Sequence, residues 1–228
     1  MMPRCEVWRL GLIPYQVAWD LQDQMVRERG QPNALDRLLL VQHPHVYTLG
    51  TGGHDENLLF SEAERQRLGI EIFRIDRGGD VTYHGPGQVV AYPIIQLPHE
   101  GHQNLRLDVR GYIRNLESVV IRTLANYGIM GKLVDGLAGV WVDTPSGEAK
   151  ICAIGVRINV KAVTKHGFAL NVNTDLSYFD GIIPCGIVDK GVTSMAAVLG
   201  GSLDEAEVAQ RIIAHFGAVF GYEMVEKP

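Results

Sequence analysis

An α+β fold is predicted for this chain by three features. Helix-period segments alternate with strand-type apolar runs, no repeat, low-complexity stretch or composition shift marks a linker, and 46% of the 228 residues are hydrophobic, enough for one substantial core. A single domain over residues 1–228 is the expectation. From Pro14 to Arg29, Val17, Ala18, Leu21, Met25 and Val26 share one helical face, and Gly30 is placed to end the helix. Leu38 to Gln42 and Val46 to Leu49 read as strands separated by a turn at His43-Pro44-His45. Those two histidines have no carboxylate or thiol close in sequence, so they read as loop residues rather than zinc ligands.

Ser61-x-x-Glu64 is a capping-box pattern and predicts a short helix over Ser61 to Gly69. Glu71 to Asp76 and Val89 to Leu97 bracket the glycine-rich stretch Arg77 to Gln88, giving strand, loop, strand, loop, strand. Between Leu107 and Tyr127, Val109, Tyr112, Ile113, Leu116, Val119, Val120, Leu124 and Tyr127 line one face of the clearest amphipathic helix of the chain. Gly139 to Val142 and Lys150 to Val160 flank residues 143–148, whose Pro145 and Gly147 suit a hairpin connection, and Thr164 to Asn173 continues as a further strand. Ser202 to Glu205 repeats the capping-box pattern and opens a helix expected to run to about Phe220.

Bulk properties narrow the function. A net charge of -5 offers no basic field for a phosphate backbone, which argues against a nucleic-acid partner. Three cysteines, at 5, 152 and 185, cannot complete a disulfide framework and suit a reducing compartment. The first residues lack the apolar run of a signal peptide, and no stretch approaches the roughly 18 apolar residues that span a bilayer. A cytoplasmic protein with no membrane partner is the expectation.

Two positions carry reactive chemistry. Cys185 sits between Pro184 and Gly186, a forced turn at a strand end, and Lys150 enters an apolar strand where its ammonium must find a partner or a cavity. A thiol with a pKa of about 8.5 is mostly protonated at neutral pH, and a nearby ammonium favours the nucleophilic thiolate. Strict strand alternation places Lys150 and Cys152 on one face, with Ile151 and Ala153 on the other, so Cys152 is a rival thiol. Cys185 is preferred because a strand-interior cysteine reads as core.

Arg77-Gly-Gly-Asp80 pairs glycines that admit a close backbone approach with a cation for an anion or a carbonyl, and Thr82-Tyr83-His84 follows it directly. Neither the phosphate-loop nor the dinucleotide-binding glycine pattern occurs. In His166-Gly-Phe-Ala-Leu-Asn171 the small residues leave room for a slender aliphatic ligand that Phe168 caps; a glycine-marked bulge with ordinary packing is the alternative. His166 reads as structural.

Taken in register, Arg77 to Gln88, Lys150 to Gly155, His166 to Asn171 and Pro184 to Ile187 resemble the lipoyl(octanoyl) transferases, from about Pro14 to Gly200. The resemblance implies the fold of the lipoate and biotin protein ligases, a mixed β-sheet flanked by helices. It implies that Cys185 forms an acyl-thioester and that Lys150 lowers its pKa and moves protons. It assigns substrate binding to Arg77, Gly78, Gly79, Asp80, Val81, Thr82, Tyr83 and His84, to Ala153, Ile154 and Gly155, and to Gly167, Phe168 and Ala169. No cofactor and no metal is implied. The expected donor is octanoyl-acyl carrier protein, and the expected acceptors are lipoyl domains of 2-oxoacid dehydrogenase E2 subunits and the glycine cleavage H protein. Cys152 departs from the pattern, where a small apolar residue such as Ala is expected. An ATP-dependent lipoate or biotin ligase and an octanoyl amidotransferase are the alternatives.

Overall fold

The computed structural model describes residues 2–31, 34–98, 108–184 and 190–227. In chain order the regular elements are β1 (Arg4–Leu12), α1 (Tyr15–Arg29), β2 (Asp36–Gln42), β3 (Val46–Leu49), α2 (Glu62–Arg67), β4 (Glu71–Arg74), β5 (Val81–His84), β6 (Gln88–Ile94) and α3 (Val109–Ala125). They continue as β7 (Lys132–Val134), β8 (Leu137–Thr144), β9 (Gly147–Ile158), β10 (Thr164–Asn171), β11 (Gly191–Val192), α4 (Met195–Leu199), α5 (Glu205–Phe220) and β12 (Glu223–Glu226).

The strands form two sheets. The larger runs β12-β1-β2-β6-β10-β9-β8-β7, with β11 added along β9, and the smaller runs β4-β3-β5. The larger sheet is mixed. β1 lies parallel to β2 and β12, β11 lies parallel to β9, and the other pairs are antiparallel. This is the mixed sheet with flanking helices that the family resemblance implies.

Helices α3 and α5 cover one face of the large sheet. Leu116, Val119, Val120, Val208, Ile212 and Phe216 pack there against Val89, Val140, Ile151, Phe168 and Leu170, forming the main core. On the other face α1 packs Ala18 and Met25 against Leu39, Val90, Tyr92 and Ala169. The small sheet has its own cluster of Tyr47, Leu49, Val81, Tyr83 and Ile182. Among the described residues no helix is long and apolar enough to cross a membrane.

Local sequence rules explain most element ends. Ser61 and Glu64 make both halves of the capping box at α2, and Gly30 closes α1. The second expected box is corrected. Asp204, not Ser202, caps α5 by accepting from the N–H groups of Ala206 and Glu207. The Glu205 carboxylate that would have completed the box is instead held by Asn173 at 2.8 Å and by Gln42. Strands β1, β7 and β12 carry little periodic signal, because they lie at the sheet margins. On β1 only Cys5 and Val7 are buried, while Arg4 and Arg9 pair with Glu223 and Glu226 of β12.

Candidate active site

A narrow slot lies between the large sheet and the glycine-rich segment that leads into β5. Its floor is the β9–β10 ladder, where small residues face each other: Ala153 opposite Ala169 and Gly155 opposite Gly167. Its roof is Arg77, Gly79, Val81 and Thr82, and its flank is Tyr15, Val90 and Tyr92. A smaller pocket continues from it, sharing Thr82, Lys150, Ala153 and Ala169, and adds Asn171, Phe179, Pro184 and Val192.

Lys150 stands at the junction of the two pockets, and a backbone irregularity puts it there. Trp141 pairs with Lys150 but Val140 pairs with Cys152, so Ile151 is an extra residue, a β-bulge. The expectation that Lys150 and Cys152 share a face is therefore wrong. Lys150 and Ala153 line the slot, whereas Ile151 and Cys152 both belong to the core beneath α3. Lys150 Nζ lies 4.8 Å from the centre of the Trp141 ring, and the ammonium is attracted by the negative face of the indole.

The cysteines separate by environment. Cys5 and Cys152 are fully buried, and burial pushes both thiols far above the neutral range, so neither is a thiolate nucleophile at physiological pH. Cys185 and Gly186 lie outside the described residues. Pro184, which precedes Cys185 in the chain, lines the same small pocket as Lys150.

At the other end of the floor a second irregularity delivers a polar side chain. His166 pairs with Val156, and the neighbouring pair positions on that face, Phe168 and Leu170, point into the α3–α5 core. His166 has φ +59°, a left-handed conformation rare for a residue with a side chain. The turn of the backbone brings its ring to the slot, edge-on to Tyr92 at 6.4 Å between centres. Nε2 donates to Asp76 Oδ1 at 2.7 Å, and the backbone N–H donates to the buried Gln22. A proton on Nε2 leaves Nδ1 as an acceptor, and this atom has no hydrogen-bond partner among the described residues. His166 is thus both anchored, as expected, and part of the cavity wall.

Burial keeps the imidazoles at this end neutral. Burial pushes His84 down to about 3 and His43 down to about 4, and burial also holds His166 below the ordinary imidazole range. Asp76 is held well below the usual carboxylate range by the His166 hydrogen bond first and by Lys165 beside it. Gln88 gives its amide hydrogens to Asn171 Oδ1 at 2.8 Å and the Tyr83 carbonyl at 3.2 Å, so its Oε1 accepts from His84 Nδ1 at 2.7 Å. His84 Nε2 is therefore an acceptor as well.

Most residues that the resemblance assigns to substrate converge on the slot: Arg77, Gly79, Val81, Thr82 and His84 from the glycine-rich segment, and all six from β9 and β10. Arg77 is buried and its guanidinium donates to Thr48 O at 2.7 Å, Thr48 Oγ1 at 3.0 Å and Gly78 O at 3.1 Å, clamping the roof. Three assigned residues lie off the slot. Gly78 donates its N–H to Val156, and Asp80 accepts from Val81 and Asn57. Tyr83 turns into the small-sheet cluster and bonds His45. Phe168 is among the lining residues and also belongs to the core cluster on the helix side of the floor. Tyr15, Val90 and Tyr92 escaped sequence reasoning, since nothing in their local pattern distinguishes a cavity wall from ordinary core. Both rings of the His43-Pro44-His45 turn are engaged by protein, His43 with Ile13 O and Tyr92, and His45 with Tyr83.

Comparison with known proteins places this geometry. The sequence profile of the lipoyl protein ligase A/B catalytic domain matches residues 14–217. An octanoyltransferase of Chloroflexus aurantiacus is 51% identical over 214 residues, 94% of this chain and 93% of that protein. One from Solibacter usitatus is 50% identical over 225 residues, 98% of this chain and 96% of that protein. Among solved structures, a bipartite lipoate protein ligase of Thermoplasma acidophilum superposes with a TM-score of 0.76 at 18% identity, over 100% of this chain and 87% of that one. A lipoate-protein ligase A bound with ATP gives 0.70 at 16% identity, over 100% and 89%.

Proposed function

This chain belongs to the lipoyl protein ligase A/B catalytic-domain family and is an acyltransferase, and we propose that it moves octanoyl from a carrier-protein thioester, through Cys185, to a lysine of a lipoyl domain. The observation that carries this reading is the placing of Lys150 at the mouth of a slender apolar slot beside Pro184, with the other two thiols shut away in the core.

The chemistry runs in two balanced steps. The Cys185 thiolate attacks the thioester carbonyl of octanoyl-acyl carrier protein. A new sulfur–carbon bond forms, the old one breaks, and the carrier sulfur leaves as a thiol with a proton from the Lys150 ammonium, which becomes neutral. One thioester replaces another, so no ATP is consumed. The ε-amine of the acceptor lysine then attacks the acyl-enzyme, an amide forms, and Cys185 leaves as thiolate. Lys150 acts in both steps. Protonated, it stabilises the Cys185 thiolate; neutral, it takes the proton that the attacking amine must lose. The alkyl tail lies along the Ala153, Gly155, Gly167 and Ala169 floor, where the absence of larger side chains leaves its width.

The acceptors are lipoyl domains of 2-oxoacid dehydrogenase E2 subunits and the H protein of glycine cleavage. The lipoate protein ligase of Thermoplasma acidophilum, which shares this fold, belongs to a lipoylation system described with its E2 lipoyl domain. The chain acts as one domain in the cytoplasm.

Mass measurement of the intact protein after mixing with octanoyl-acyl carrier protein tests the reading. An octanoyl adduct that disappears in Cys185→Ser is expected, followed by transfer to added lipoyl domain. An adduct retained in Cys185→Ser removes the assigned nucleophile, and modification of the lipoyl domain by octanoate with ATP makes the protein a ligase.

A further inference from the structure

We infer that Glu117 and Gly139 are positioning residues for Lys150, acting through the bulge in β9. This rests on the reading of Lys150 as the group that ionises Cys185.

The bulge decides which way Lys150 faces. Without the extra residue at Ile151 taken up locally, the alternation of a strand gives Lys150 and Cys152 the same face, and a slip of one residue exchanges faces for everything beyond it. What holds the irregularity is found on β8. Gly139 has φ +113°, and a Cβ there would come within 2.5 Å of the Cys152 carbonyl oxygen and 3.6 Å of Lys150 Cε. The backbone at 139 therefore lies against β9 between the carbonyl of the core-facing cysteine and the stem of the slot-facing lysine. A side chain is excluded by both contact and conformation.

The N–H of Gly139 donates to Glu117 Oε1 at 3.2 Å. Glu117 belongs to α3 on the opposite face of the sheet and is only 2% exposed. Its other oxygen accepts from Arg114 at 3.0 Å. A carboxylate this buried is costly unless its oxygens are occupied, and here one takes the Gly139 N–H on the strand that pairs with the bulge and the other takes Arg114. Helix α3 is packed on Val119, Val120 and Leu124, so the carboxylate is a fixed point in the core. Lys190 shares the Trp141 ring with Lys150, its Nζ 5.8 Å from the ring centre, and pairs with Glu148. Glu117 holds Gly139, which lies against β9 at the bulge, and its effect on chemistry passes through the aim of Lys150.

The test follows iodoacetamide alkylation of Cys185 against pH, with the modified cysteine located by peptide mass, in the wild type, Lys150→Ala, Glu117→Ala, Glu117→Asp and Glu117→Gln. Lys150→Ala moves the Cys185 titration upward. Glu117→Ala is expected to move it the same way by about one pH unit, about a tenfold loss of rate at neutral pH, and to expose Cys152 to alkylation. Glu117→Asp, which keeps the charge but withdraws the oxygen from Gly139, shifts in the same direction and serves if the Ala variant does not fold. Glu117→Gln keeps an acceptor for Gly139 and restores the wild-type profile. Wild-type profiles in folded Glu117→Ala or Glu117→Asp, alongside a shifted Lys150→Ala, would overturn the positioning role and leave the Lys150 reading standing. An unshifted Lys150→Ala would remove both.

Discussion

The middle of the slot obeys strand alternation, whereas its two ends are made by breaking it. Between the ends, Ala153 and Ala169 face each other, as do Gly155 and Gly167, and every second residue drops into the α3–α5 core. At one end the bulge at Ile151 turns Lys150 into the slot. At the other, the left-handed backbone of His166 turns an imidazole into it. The difference shows how one pair of strands furnishes both an apolar channel and polar termini. Regular pleat supplies a smooth wall at no conformational cost, and each polar group aimed against the pleat requires its own local device, braced from outside the ladder.

The largest test of this contrast is at the Lys150 end. Lys150→Ala should lower kcat/KM for octanoyl transfer by about 10²–10⁴, the range of a lost general acid–base group, with little change in melting temperature. A loss below tenfold would make that end ordinary wall.

Acid stability probes the other end. His43, His84 and His166 are held neutral by burial, so the unfolded chain binds protons that the native state does not. Their contribution is complete above about pH 6.5 and is lost as pH falls through that value, at about 1.4 kcal/mol per pH unit for each histidine, until the folded groups themselves titrate, near 4 for His43 and 3 for His84. Urea midpoints between pH 7 and pH 4.5 should fall steeply, and His43→Gln should flatten the slope by one proton. A flat profile would mean that these rings are protonated in the folded protein.

The regular middle breaks by overpacking. A Cβ at Gly167 meets the Ala91 carbonyl oxygen and comes within 2.7 Å of Pro93 Cδ, so Gly167→Ala should cost about 1–3 kcal/mol in urea denaturation. A neutral substitution would show that β6 has room to yield.

The smallest effect sharpens the comparison most. In an ordinary strand Gly is less stable than Ala, but at φ +59° the order should reverse, with His166→Gly about 1 kcal/mol more stable than His166→Ala. Equal stabilities would mean that the backbone relaxes once the imidazole is gone.

Much of the candidate site is legible from local pattern. The thiol between Pro184 and Gly186, the lysine in an apolar strand and the small residues of β10 all stand out, and the helices α1 and α3 follow from their apolar spacing. Tyr15 and Tyr92 are not legible, because they become cavity wall only where α1 and β6 meet the glycine-rich segment. The misplacing of Cys152 on the face of Lys150 has a local origin. A period-two rule assigns faces correctly only along unbroken pleat, and in β9 it is broken at 151.

The order of residues alone therefore determined most element types, the α+β class and the chemical groups available, since these depend on composition, periodicity and short-range spacing, while the mixed sheet followed from the family resemblance that the motifs carry. Which of those groups face one another was decided by tertiary contacts: a carboxylate on α3 at the back of β8, an aspartate beside the kink in β10, and a sheet-wide pairing that left one residue over at Ile151. Facing is a property of how strands pair and what braces them, and no window along a single strand contains that information.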